Sequence, residues 1–282
     1  MADPSHFPRP LSPPGLDIPA SSATVDVRVI DTFLVSHGNH HVLCDLGVRT
    51  GWENLPPKVV QLVKATTQVT GCDRDIASVL DDEAENYGLR IRSSDIEAIV
   101  WSHTHFDHTG DPSRFPPTTE LVVGPGVRTA FWPGYPTDPD GSVLDSDAAG
   151  RVVREVSFAA VPETDGRALH IGRFDAFDYF GDGSFYLLDA PGHAPGHMCG
   201  LARTTADPPT FVLIGADACH HAGVLRPSSY LPLPRTAYSS GDDGPPGRMR
   251  CLSRRSSYAA GLVERPSRTV LPGDAWAGVP RP

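Results

Sequence analysis

The stretch Trp101-Ser-His-Thr-His-Phe-Asp-His-Thr-Gly110 constrains this chain more than any other. It sets four potential metal ligands, His103, His105, Asp107 and His108, within six residues. The run that feeds it, Ala98-Ile-Val-Trp101, is apolar and β-branched, which predicts a buried strand. Gly110, Asp111 and Pro112 then stop regular structure. Ligands at the open end of a strand sit on a rigid support with their side chains free to converge. His103 and His105 are two apart, so in extended backbone they project to the same side. Asp107 and His108 lie past the strand end, where the turning chain can aim them at a second ion. Neutral imidazole with carboxylate suits zinc, and iron or manganese also fit such a set.

The pattern His-x-His-x-Asp-His resembles the signature of the metallo-β-lactamase superfamily. That resemblance implies an α/β fold, a four-layer αββα sandwich, with a one- or two-metal site at one edge of the sheets. Further along, Leu188-Asp-Ala-Pro-Gly-His193-Ala-Pro-Gly-His197 is similar to the doubled Pro-Gly-His element of quorum-quenching lactonases and, in related form, of glyoxalase II. By that likeness His193 is the third ligand of the first metal and His197 a supporting neighbour. The predicted strand Phe211-Val-Leu-Ile-Gly215 leads to Asp217, at the place of the superfamily's bridging aspartate. Asp45-Leu-Gly47 looks like the short Asp-x-Gly turn after the early strands, where the aspartate is structural or supports a ligand.

The chain departs from the pattern near its C-terminus. Dinuclear members complete the second site with a late histidine, whereas no His follows His221 here. Val270-Leu-Pro-Gly-Asp274 resembles that element with the histidine missing, so His220, His221 or Asp274 would be its substitute. Lactonases of the family also carry a tyrosine three residues after the bridging aspartate, where it supports the substrate carbonyl. His220 takes that catalytic position.

The resemblance implies two Zn2+ ions per chain. His103, His105 and His193 would hold the first, Asp107 and His108 the second, with Asp217 between them. A metal-bound hydroxide would cleave an acyl bond, with Asp107 passing a proton to the leaving group. A lactone or other ester is the expected substrate, on the strength of the doubled Pro-Gly-His and of Phe106. A thioester hydrolase, like glyoxalase II or a polyketide thioesterase, would share these ligands. So would a metal-binding protein whose catalysis is impaired by the lost ligand.

Composition narrows the partners. A net charge of −10 argues against a nucleic-acid or anionic-membrane binder and for a small-molecule substrate. Five scattered cysteines without a Cys-x-x-Cys pair fit reduced thiols in the cytoplasm. Residues 1–22, rich in Pro and Ser, show no apolar signal core, and no run approaches the ~20 apolar residues of a membrane helix. Residues 23–234 are expected to form the metal-binding domain. Residues 235–282 stand apart, with eight Arg, no Lys, and eighteen Gly, Pro or Ser. The expected helices of the second half are missing from this tail, which reads as an altered, poorly ordered C-terminus from a shifted frame or different splicing.

Between these landmarks the pattern is of strands interleaved with helices. Residues 24–36 alternate as one strand, Gly38-Asn39 turns, and 41–46 returns. His37, His40 and His41 flank that turn and read as solvated residues with no carboxylate partner nearby. Pro56-Pro57 opens one helix, and Asp73 caps a second that Gly88 closes; both should cover a sheet. A strand at 120–124, a helix through Phe131 and Trp132, and a Pro/Gly/Asp loop over 133–150 follow. Strands are predicted at 152–159, 174–180, 185–190, 198–203 and 210–215.

Overall fold

Alternation along the strands sorts their side chains onto two faces, and those faces define the layers. The structure is a computed structural model. It describes residues 15–29, 32–69, 72–86, 90–162 and 165–219, with short segments at 236–237 and 250–251. A six-stranded sheet runs in chain order through β1 (Asp26–Val29), β2 (Phe33–His37), β3 (His40–Cys44), β4 (Ala98–Val100), β5 (Glu120–Val123) and β6 (Val153–Glu155). Its first two junctions are antiparallel and the next three parallel. A five-stranded antiparallel sheet contains β7 (Ala168–Ile171), β8 (Phe174–Asp178), β9 (Phe185–Asp189), β10 (Met198–Ala206) and β11 (Pro209–Ile214).

Val35, Val42, Ala98, Val100 and Val122 on one sheet meet Phe177, Phe185, Leu187, Met198 and Ala202 on the other. The alternate residues Leu34, Leu43, Ile99, Leu121 and Val123 face away from that core. They pack with Ile76, Ala77 and Leu80 of α2 (Ile76–Asn86) and with Val127 of α4 (Val127–Phe131). Fully burying each such aliphatic contributes about 1.5–3 kcal/mol. Because β3, β4 and β5 are buried on both faces, they read as continuous apolar runs rather than alternating ones. On the far face of the five-stranded sheet, Ala176, Tyr186, Leu188 and Cys199 pack with Ile18. Helix, sheet and sheet are thus three of the sandwich's layers, and every α-helix among the described residues precedes β6.

Several local expectations are corrected. The segment 24–36 is two antiparallel strands, β1 and β2. The polar break between them is stabilised at Thr32, whose hydroxyl lies 2.5 and 2.7 Å from the carbonyls of Cys44 and Asp45. The helix α2 is capped by Asp75 rather than Asp73, since Asp75 Oδ1 accepts from Ser78 N–H at 2.8 Å. Tyr87 and Gly88 lie outside the described residues. Helix α1 (Pro57–Thr66) does not join the sheet-facing core; Val59 and Val63 pack with Leu55, Phe106 and Leu144 in a cluster of their own. Strand β7 was not expected, because Ala-Leu-His-Ile lacks alternation. The 133–150 loop carries a short helix α5 (Asp145–Ala148), and the buried Asp147 there pairs with Arg49 at 3.0 Å. The other side of Arg49 meets Asp111 at 2.6 Å.

The chain divides into two units, Leu16–Ala218 and a second made of Met1–Gly15 with Cys219–Pro282. In the second, Thr236–Ala237 pairs antiparallel with Arg250–Cys251. The tail otherwise lies outside the described residues, with Asp274 in it.

Two glycines hold the loop after β9 against the end of β5. A Cβ at Gly124 would run into the Gly196 carbonyl, and one at Gly196 into Val127. Gly196 also has φ +64°, where a side chain is strained. We therefore expect Gly196→Ala to lose about 2–3 kcal/mol of unfolding free energy in denaturant titration. A loss below about 0.5 kcal/mol, the range of neutral surface changes, would show the contact to be dispensable.

Candidate metal centre

Parallel pairing brings the C-terminal ends of β3 and β4 to one edge of the sheet, with Cys44 opposite Val100. The next residues are Asp45 and Trp101, and the site grows from them. Asp45 adopts φ 63°, a left-handed conformation that Asp tolerates better than most residues. From there its carboxylate accepts from Ser102 N–H and from Ser102 Oγ, both at 2.7 Å. It also lies 2.8 Å from His108 Nδ1. Trp101, buried against Trp132 in a stacked pair, donates its indole N–H to the Thr109 carbonyl at 3.0 Å. These bonds close the 101–109 segment on itself. The His105 carbonyl accepts from the N–H groups of His108 and Thr109 at the start of the single turn α3 (Phe106–Thr109), which swings Asp107 and His108 round toward the same edge. The second sheet is tied in where Met198 N–H donates to the Ser102 carbonyl at 2.9 Å.

Side chains from three places then meet. His103 Nε2 and His193 Nε2 each lie 2.9 Å from His105 Nδ1. Asp217 Oδ2 stands 3.3 Å from His193 Nε2 and 3.7 Å from His103 Nε2. Its other oxygen, Oδ1, is 3.3 Å from His108 Nε2. One ligand atom from each of His103, His105, His193 and Asp217 falls within 4.8 Å of all the others. Atoms about 2.1 Å from a tetrahedral zinc ion are separated by about 3.4 Å, so this set fits such an ion. Asp107 stands at the rim, its Oδ2 3.8 Å from His108 Nε2 and its side chain half-exposed. His220 and His221 lie outside the described residues, as does Asp274.

The electrostatics split the group in two. Burial, then the neighbouring imidazoles of His108 and His105, hold His103 far below the usual histidine range. Burial and His193 push His105 down to about 4. Both are therefore neutral, the form that binds a metal. Burial pulls His108 the same way, but its hydrogen bonds with Asp217 and Asp45 overcome that and raise it to about 10. His197 is fully buried beside the cluster, and burial again lowers it.

Two features escaped the sequence reading. Ser102, whose Oγ also lies 3.0 Å from His103 Nδ1, joins Asp45 to the first histidine; a small polar residue at the end of an apolar strand was its only signal. At the far edge, His37 and His40 do have carboxylate partners. Asp182 is 2.8 Å from His37 and Glu97 2.6 Å from His40, both brought there from distant segments. His41 bonds Ser36 Oγ at 2.9 Å.

Removing metal with a chelator is expected to lower the thermal midpoint, and zinc to restore it. Free zinc at roughly one hundred times its Kd would stabilise the fold by about 2.7 kcal/mol. A midpoint indifferent to both treatments would contradict the site. Because His108 sits near 10 without metal, it carries a proton at neutral pH that a ligating imidazole must give up. Zinc titration of the chelated protein should then release about one proton at this position, with affinity rising as pH increases. Calorimetry in buffers of different ionisation enthalpy would measure it, and His108→Ala should abolish the release.

Residues 25–203 match the metallo-beta-lactamase superfamily. The chain is 58% identical over 266 residues to the metallo-hydrolase mfmC of Annulohypoxylon moriforme, covering 84% of this chain and 68% of that one. It is 53% identical over 258 residues to the cytochrome P450 monooxygenase mpaDE of Penicillium roqueforti, covering 82% of this chain and 30% of that protein. To the gamma-lactamase FDB1 of Fusarium pseudograminearum it is 42% identical over 257 residues, covering 79% of this chain and 60% of the other. The chain spans between 30% and 68% of the length of these relatives. With the match running from β1 into β10, over both sheets and most of the ligand set, this chain belongs to the metallo-β-lactamase superfamily and is a hydrolase of that type.

Proposed function

We propose that this chain is a zinc hydrolase that opens a small cyclic acyl compound, a lactone or lactam, with two ions per chain. One observation carries the reading. Asp217 presents one oxygen to His103 and His193 and the other to His108, as a carboxylate shared by two cations must. His103, His105 and His193 would hold the first ion, and Asp107 and His108 the second. Zinc so held supplies Lewis acidity and makes water acidic enough to ionise near neutral pH.

The chain's own residues do the rest. Asp45, through Ser102 and His108, fixes the orientation of two of the imidazoles. Asp107, half-exposed at the rim, can hand a proton to the departing oxygen or nitrogen. Phe106, between His105 and Asp107 in sequence, packs against the apolar cluster of Leu55, Val59 and Val63 and so puts apolar ground next to the ligand segment. An uncharged ring suits such ground better than an anionic polymer does. The doubled Pro-Gly-His around His193 and the Fusarium relative named a gamma-lactamase both favour a ring as substrate.

No helix among the described residues is long and apolar enough to cross a membrane. Cys44 and Cys199 are buried thiols outside any disulfide, which fits the cytoplasm as the place of action.

Zinc-reconstituted protein assayed on γ-lactones, γ-lactams and acyl-thioesters should open one of the two ring classes. His103→Ala and Asp217→Ala should each lower that rate by about 10³ or more, since each would remove ion and water together. Turnover of the thioester with both rings untouched would replace the ring reading with a thioesterase, and no turnover at all would leave a metal-binding protein.

A further inference from the structure

Asp217 stands on the least regular backbone of the site. Strand β11 ends at Ile214, Ala216 takes φ 42°, and Asp217 itself lies at φ −94°, ψ 18°. Alanine gains nothing from the left-handed region, so this turn is held by something outside itself. Within the turn, Ala218 N–H donates to the Gly215 carbonyl at 3.1 Å. From outside, Asp217 N–H donates to His197 Nε2 at 3.2 Å.

His197 suits that task. Its side chain is fully buried, and its backbone is pinned on both sides. His197 N–H donates to Ala194 O at 3.2 Å, and His197 O accepts from Ala190 N–H at 3.1 Å. The ring's Nδ1 faces the Ala190 carbonyl at 3.0 Å. A carbonyl only accepts, so Nδ1 carries the hydrogen and Nε2 is left bare, which is what a backbone N–H requires. That lone pair points at the Asp217 amide rather than into the ligand group. The ring centroid is 5.2 Å from that of His103 and 5.8 Å from that of His193, and His197 is outside the converging set.

We propose that His197 is a positioning residue for Asp217, the acceptor that fixes the backbone of the shared carboxylate and so decides whether a second cation is held. The assignment rests on the reading of Asp217 as a shared ligand. Without the acceptor, the Asp217 amide loses the hydrogen bond that His197 Nε2 supplies and the turn relaxes. Oδ2 can still follow the three histidines, but Oδ1 loses its set position near His108.

Two substitutions separate this role from simple packing. In His197→Gln the side-chain oxygen reaches the place of Nε2 and accepts. In His197→Asn the amide ends near Nδ1, where it can donate to Ala190 but offers nothing to Asp217. The full-length wild type and both variants, stripped of metal, would be titrated with zinc by calorimetry and their melting recorded. We expect two ions in the wild type and in His197→Gln. In His197→Asn the first ion should bind as before and the second about 10–100-fold more weakly, the range found for residues that orient ligands. Undiminished binding of both ions by a folded His197→Asn would overturn the inference alone. A wild type holding fewer than two ions would overturn it together with the shared-carboxylate reading. Should His197→Asn not fold, His197→Gln decides: two ions support the acceptor role, and loss of the second refutes it.

Discussion

Three imidazoles and a carboxylate held within 4.8 Å of one another, His103 buried and the other three partly so, make demands that the side chains cannot meet among themselves. His105 Nδ1 stands 2.9 Å from a nitrogen of His103 and from one of His193, and a single proton fills only one of those gaps. Burial drives His103 and His105 to the neutral form, while the carboxylates of Asp217 and Asp45 hold His108 positive. One half of the site thus offers uncharged donors and the other half negative oxygens with a displaceable proton. A divalent cation answers both halves, which is why so much of the surrounding structure serves to keep these groups in place.

That support comes from packing more than from local sequence. Parallel strands β3 and β4 end side by side, so Asp45 and Ser102 can bond even though 57 positions separate them. The Gly124–Gly196 approach seats the loop carrying His193 against the first sheet, and Met198 bonds Ser102 across the same edge. Behind them, buried aliphatics on two faces of each central strand make that edge rigid. A site assembled from strand ends can be held to a few tenths of an ångström, whereas one built on loops alone could not.

Structure is legible in this sequence where its signal is local and hidden where a partner is remote. Gly38-Asn39, Pro56-Pro57 and the run Ala98–Val100 each state their structure within a few residues, and each element is found there. Over 24–36 the alternation hides a reversal made possible by Thr32 reaching the end of β3. The carboxylate partners of His37 and His40 are invisible in the local sequence because Asp182 and Glu97 arrive from other segments. Strand β7 follows no apolar rhythm; it exists because β8 offers it an edge.

By itself the sequence determined the class of the protein. Six residues dense in histidine and aspartate, after an apolar strand, point to metal chemistry by ligand type; their resemblance to the superfamily's signature implies the layered fold, and the strand periodicities agree with it. Only the tertiary structure decided which oxygen of Asp217 faces which histidine, that Asp45 touches His108, and that His197 turns its lone pair to a backbone amide. The reason is physical. Residue type and spacing determine what a side chain can bind, but its protonation, its tautomer and the direction of its lone pairs depend on burial and on partners that folding brings from far along the chain.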